Sequence, residues 1–348
     1  MGNECEILLV DDNLINREVA AALLEDYGFE PVTAGSGAEA VELAKKTKFQ
    51  IIFMDHRMPG MDGVEAMRRI RRDCGGNGGS PAIVALTAEA PEGLRERFLK
   101  AGFQDMLTKP LEREPLEALL EKWCPGFSGK EQRRSDDSAV VADLDQIRIE
   151  GIEIAEAKKH HTGGVENYVE LLRLYGTDGR RKLPLLQQLL QKGDYAVYGV
   201  EVHALKSASA NIGAMELSAQ AKEQEEAAKR GDKALIERRS GALFQNYAGL
   251  LKRIAEFLEG WEKASGGKEK GGRLGRKEVL QGIRKALEQM EDFRSRECAE
   301  TVNGLLGHEL EETAEAGLQE IREQLIMYED DEAERLLREL ADRLEKEE

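Results

Sequence analysis

The sequence predicts a multidomain chain of α/β plus all-α class: a doubly wound five-stranded parallel sheet, then a helical bundle, then a separate acidic helical segment. Three observations predict it. Short β-rich apolar runs alternate with amphipathic stretches up to about residue 125, and nearly everything beyond reads with helical periodicity. Two tracts without periodicity divide the chain, one polar from Gly126 to Ser138 and one Gly/Lys-rich from Ser265 to Gly272. The domains expected are therefore 1–125 and 143–262, joined by a 126–142 linker, and a segment of undefined role at 276–348 behind a flexible 263–275 linker.

In the first domain the strand candidates are Ile7–Val10, Glu30–Ala34, Ile51–Met54, Ala82–Leu86 and Asp105–Leu107. Helical stretches follow each, near Ile15–Tyr27, Ala38–Lys46, Val64–Arg72, Gly93–Ala101 and Glu114–Trp123. Such alternation implies a parallel sheet with functional groups at the strands' C-terminal ends. Polar residues fall there: Asp11 and Asp12 after the first strand, Asp55 after the third, Thr87 after the fourth and Lys109 after the fifth.

Three carboxylates at one sheet edge repel one another unless a hard cation such as Mg²⁺ offsets them. One can then act as a nucleophile toward phosphorus and form an acyl phosphate. Asp55 is the expected acceptor, Asp11 and Asp12 the metal-site carboxylates, Lys109 the ammonium, and Thr87 a hydroxyl for the phosphoryl group. His56 is expected to point away from Asp55, because neighbours leaving a strand face opposite sides. Gly75–Gly79 lacks a following Lys-Ser/Thr and helix start, so it reads as a loop.

Val-Asp-Asp-Asn at 10–13, Met-Asp-His-Arg-Met-Pro-Gly-Met-Asp-Gly at 54–63, Leu-Thr-Ala at 86–88 and Thr-Lys-Pro at 108–110 resemble the receiver domain of two-component response regulators, over about residues 4–124. The resemblance implies a flavodoxin-like fold and makes the Arg57 backbone carbonyl a further metal ligand. One position departs from the pattern. Met106 stands where the family has an aromatic residue that reorients on phosphorylation.

From Leu144 to Glu262 apolar residues recur at three- and four-residue intervals, as at Tyr168, Leu171, Leu172 and Tyr175, which suggests an antiparallel bundle. His203, Lys206 and Ser207 share one helical face, expected to face solvent. An imidazole there is a competent nucleophile near neutral pH, and Lys206 can neutralise a phosphoryl group on it. Zinc is a poor fit, with no second ligand at suitable spacing. The run Val202–Gly213 resembles the histidine phosphotransfer (HPt) domain, signature His-x-Leu-Lys-Gly, over about residues 143–260, with Ser207 in place of the Gly. His160-His161 reads as a solvated connection, and His308, without a following Lys, as a surface histidine.

Composition bounds the partners. The net charge is −17, with 22 acidic and 15 basic groups in residues 1–125 and 22 and 11 in residues 276–348. No region has the basic surplus of a nucleic-acid binder. No apolar run approaches the about 20 residues that span a bilayer, and the start is too short and acidic for a signal peptide. Four widely spaced cysteines suggest reduced thiols in a cytoplasmic protein.

The resemblances together imply a phosphorelay protein. A histidine kinase would donate to Asp55, and His203 would exchange with an upstream or downstream receiver. No ATP-binding Asn box or ATP lid is present, so the chain is not expected to use ATP itself. Alternatives are the C-terminal part of a hybrid histidine kinase, and a phosphorylation-gated scaffold whose acidic helices bind a partner.

Overall fold

The computed structural model describes residues 5–74, 80–88, 93–127, 143–161, 163–264, 272–291, 295–326 and 330–346. Most of both expected linkers and the Gly75–Gly79 run lie outside these residues. Two compact units divide the chain, residues 1–254 and 255–348.

Strands β1 (Ile7–Val10), β2 (Val32–Ala34), β3 (Ile51–Asp55), β4 (Ala82–Thr87) and β5 (Asp105–Thr108) form one parallel sheet in the order β2-β1-β3-β4-β5. β1, β3 and β4 are buried along their whole length, as a sheet covered on both faces requires. Alternation along β1 splits the core in two. Ile7 and Leu9 point with Phe53, Val84 and Leu86 toward α1 (Leu14–Asp26) and α5 (Arg113–Trp123). Leu8 and Val10 point with Ile52, Met54 and Ile83 to the other side, toward α2 (Gly37–Lys46), α3 (Gly63–Cys74) and α4 (Leu94–Ala101). The direction of strand succession reverses beside β1, between β2 and β3, and opens a crevice at the strands' C-terminal ends.

Cys5 and Cys124 are joined, with sulfurs 2.17 Å apart, which corrects the expectation of reduced thiols there. The entry to β1 and the exit of α5 are neighbours in the core although 119 residues apart, so spacing carried no hint.

A short 3₁₀ turn at Asp143–Gln146 and α6 (Ile154–His160) lead into α7 (Val165–Lys192), α8 (Tyr195–Asn211), α9 (Met215–Arg230) and α10 (Lys233–Ala264). α8 is packed on several sides, against α7, α9 and α1. Its buried neighbours carry satisfied hydroxyls: Tyr168 donates to the Ile212 carbonyl at 2.7 Å, and Tyr175 meets Ser209 at 2.9 Å. Gly213, at φ +79°, ends α8 so tightly that a Cβ would lie 2.5 Å from the Glu153 carbonyl oxygen. His161 is buried edge-on to Tyr168 with a ring-centroid distance of 5.3 Å, not solvated as its sequence suggests.

In the second unit, α11 (Arg276–Glu291), α12 (Ser295–Leu306), α13 (Glu312–Ile326) and α14 (Asp330–Lys346) pack each on the next, and α14 returns to α11. The closed bundle buries Ile283, Cys298, Val302, Leu318, Ile321, Leu337 and Leu344. His308, half-buried, follows α12. No described helix is long and apolar enough to cross a membrane.

Candidate functional site

Asp55 is the last residue of β3, and its register partner in β4 is Leu86, one residue before Thr87. β1 pairs alongside, so Asp11 and Asp12 emerge at the same edge. One carboxylate oxygen from each of Asp11, Asp12 and Asp55 lies within 4.8 Å of the others. Lys109 leaves β5 behind a backbone hydrogen bond to the Thr87 carbonyl and carries its ammonium between Asp11 (2.5 Å) and Asp55 (2.6 Å). The loop after β3 is cinched by Gly63, where a Cβ would sit 2.1 Å from the Asp55 carbonyl oxygen. The Arg57 amide donates to Asp55 Oδ1 at 3.1 Å, which fixes that carboxylate's orientation.

The electrostatics are those of a crowded acid cluster. Burial, then repulsion from Asp11 and Asp55, pushes Asp12 up to about 7, against the pull of Lys109 and Lys182. Burial also raises Asp55, with Asp11 adding to it and Lys109 opposing. Burial disfavours the Lys109 ammonium, but Asp11 and Asp55 outweigh it and hold the group charged. Three oxygens clustered this closely, partly uncompensated by one ammonium, are a donor set that fits a hard divalent cation.

The second half of the site lies on α8. His203, Lys206 and Ser207 share a face as expected, but that face is not open: they are 5%, 7% and 5% exposed. α9 and α1 both pack on α8. The contact that sequence reasoning missed is Glu225, on α9. Its carboxylate receives His203 Nδ1 at 2.8 Å, Lys206 at 2.6 Å, Lys229 at 2.7 Å and Arg57 Nη1 at 2.9 Å. Burial pushes its acidity down, yet the hydrogen bonds and charges of His203, Lys206 and Lys229 prevail and hold the carboxyl well below the usual carboxylate range. Glu225 is 22 residues from His203 in no recognisable motif, so nothing local announced it.

An ionised carboxylate only accepts, so Nδ1 of His203 carries a hydrogen and Nε2 is the ring nitrogen not held by Glu225. Nε2 is buried and makes no hydrogen bond among the described residues. Beside it lies His56, half-buried, with ring centroids 6.5 Å apart and edge-on. His56 Nδ1 donates to the Leu86 carbonyl at 3.0 Å and lies 3.7 Å from Asp55 Oδ1, so this residue turns into the site instead of away from it. Burial is the main cause that lowers His56 to about 4.

Comparison with known proteins gives this arrangement a family. Residues 7–121 match the response regulator receiver domain, and residues 170–260 match the Hpt domain. The chain carries a receiver domain followed by an Hpt domain. It is 40% identical over 120 residues to the signal transduction histidine-protein kinase BarA of Escherichia coli strain K12, covering 34% of this chain and 13% of that protein. Over 214 residues it is 30% identical to the sensor histidine kinase AruS of Pseudomonas aeruginosa, covering 62% of this chain and 20% of that protein. The chain thus spans a fifth or less of the length of these two relatives. Among solved structures, the receiver domain of sensor histidine kinase PA1611 from Pseudomonas aeruginosa PAO1 is 40% identical and covers 36% of this chain and 98% of its own, with a TM-score of 0.32.

Proposed function

We propose that the chain is a phosphorelay protein in which Asp55 accepts a phosphoryl group from a kinase phosphohistidine and His203 carries it to or from an aspartate. The domain limits 1–125, 143–262 and 276–348 and a cytoplasmic location belong to the same reading. The observation that carries it is the Glu225-oriented imidazole of His203, with a buried Nε2 that makes no hydrogen bond among the described residues, beside the loop that holds Asp55.

Asp11, Asp12, Asp55 and the Arg57 carbonyl would hold Mg²⁺, which when bound supplies positive charge against the phosphoryl oxygens. Lys109 adds a second positive charge from β5, and the Thr87 hydroxyl contacts the same oxygens. In the acyl-phosphate-to-histidine direction, Nε2 bonds to phosphorus as the bond between phosphorus and the Asp55 oxygen breaks. The bonding electrons return to the Asp55 carboxylate. No proton moves: the hydrogen on Nδ1 stays, and the positive charge that develops on the ring is met by Glu225. Lys206 compensates the dianionic phosphoryl group. The reverse sequence is equally balanced in atoms and charge.

The test uses the full chain with radiolabelled phosphodonor and single variants Asp55→Ala and His203→Ala. Asp55→Ala is expected to lose the alkali-labile acyl phosphate and with it the acid-labile phosphohistidine, and His203→Ala to lose the phosphohistidine alone. Label accepted and passed on by both variants would overturn the reading. A second reading, the C-terminal part of a hybrid kinase, is favoured by the long AruS match. Under either reading this chain retains no label from ATP and Mg²⁺ alone.

A further inference from the structure

The C-terminal bundle is one helical hairpin written twice. Arg276 and Glu311 stand 35 residues apart, and the same offset carries α11–α12 onto α13–α14. Under it Ile283 falls on Leu318, Met290 on Leu325 and Val302 on Leu337, all buried in one core. Gly282 falls on Gly317, and each makes room for a leucine of the helix that follows. A Cβ on Gly282 would lie 2.7 Å from Leu305, and one on Gly317 would lie 2.7 Å from Leu340, which is the counterpart of Leu305. The helix contacts repeat too. α11 packs on α12 as α13 does on α14, and α12 packs on α13 as α14 does on α11. This is the arrangement that two identical hairpins take in a two-fold dimer.

Residues next to a two-fold axis meet their own counterparts. Here the Leu274 N–H donates to the Glu309 carbonyl at 3.0 Å, and Arg276 meets Glu311 at 3.0 Å. In two true copies the second contact would set like charges together. The copies have instead diverged in charge. Arg276, Lys277, Arg284 and Lys285 stand where the later copy has Glu311, Glu312, Gln319 and Glu320. The first copy therefore accepts the later one and rejects another first copy.

We infer that this bundle is a self-association module, in which α11–α12 of one chain takes up α13–α14 of a second copy and the second copy reciprocates. The hinge is the segment 307–311 between α12 and α13. Closed and exchanged forms make the same contacts, so they differ only in the hinge and in the entropy of association. A second copy of this chain is the occupant that matches. It brings the apolar face that each hairpin already buries and the opposite charge at the axis. The inference does not depend on the phosphorelay reading.

The experiment uses full chains carrying tags of different mass, unfolded together in urea, refolded and weighed by native mass spectrometry across a dilution series. Wild type is expected to give a dimer fraction that rises with concentration, with two tagged wild types mixing at random. Arg276→Glu and Glu311→Arg each set like charges at the axis, in the closed form and in their own dimers. The Arg276 and Glu311 side chains are 24% and 49% exposed, so neither change disturbs the core. Mixed together, the two variants restore an opposite pair at both axes in the exchanged heterodimer alone. That heterodimer should exceed its random share by about fivefold. The double variant Arg276→Glu/Glu311→Arg should pair with itself and exclude the wild type. Chains that stay monomeric at every concentration overturn the inference, since each hairpin then pairs only within its own chain. Dimers that mix at random in every combination overturn it as well, because they associate through another surface.

Discussion

Replacing Glu225 by Gln keeps the side chain's shape and removes its charge. In the wild type the carboxylate fixes the hydrogen on His203 Nδ1 and faces the charge that the ring gains as Nε2 bonds phosphorus. A hydrogen bond to a charged group contributes about 2 kcal/mol net. Losing that amount from the transition state corresponds to about 30-fold in rate. The Gln amide can also donate to Nδ1, which moves the ring hydrogen to Nε2 and removes the nucleophilic lone pair, so 30-fold is the lower expectation. Stability should fall as well, by about 3 kcal/mol, because buried Lys206 loses a charge partner only 2.6 Å away.

Two measurements separate chemistry from folding. Transfer from acyl phosphate to His203 is followed by quench at a temperature where both proteins are folded, and nitrogen-15 histidine spectra report which ring nitrogen of His203 carries the hydrogen. Wild-type transfer rates in Glu225→Gln, with the tautomer unchanged, would refute the assignment. The acid limb provides a further check. Glu225 is depressed from its ordinary 4.5 in the folded chain, so its ionisation contributes stability that is complete above that pH and is lost as pH falls below it. The stability gap between wild type and Glu225→Gln should therefore narrow below pH 4.5.

Two further outcomes follow from packing. Gly63→Ala places a methyl group 2.1 Å from the Asp55 carbonyl oxygen, so the loop must shift; the expected cost is about 3 kcal/mol by urea titration, with loss of label on Asp55. Leu318→Ala empties a fully buried position in the C-terminal bundle; hydrogen exchange in residues 276–346 should show about 3 kcal/mol of local loss, while the Asp55-to-His203 label ratio stays at its wild-type value.

The strands' C-terminal acids were legible because parallel alternation confines such residues to one edge. Asp11, Asp12, Asp55 and Lys109 meet there as their positions implied. The His203–Lys206 face was legible from helical spacing. Its environment was not, since exposure depends on what packs against a helix. β2 begins at Val32, two residues after the expected Glu30, because Pro31 before it has no N–H to give to the ladder. The bundles were visible as apolar periodicity, although Val165–Lys192 forms one helix through Pro184, where separate stripes were visible in sequence.

What the sequence by itself determined were features set by local period and chemistry: a doubly wound α/β domain, two all-helical regions, an acid cluster with its lysine, and a histidine with a lysine one turn on. Only the tertiary structure decided the joining of Cys5 to Cys124, the capture of His203 by Glu225, the turning of His56 into the site and the closing of the receiver over its own Hpt domain. These pairings span from 22 residues between His203 and Glu225 to 195 between Asn16 and Asn211. No short-range pattern constrains partners so distant. They are selected when whole elements pack and each buried polar group must find its match.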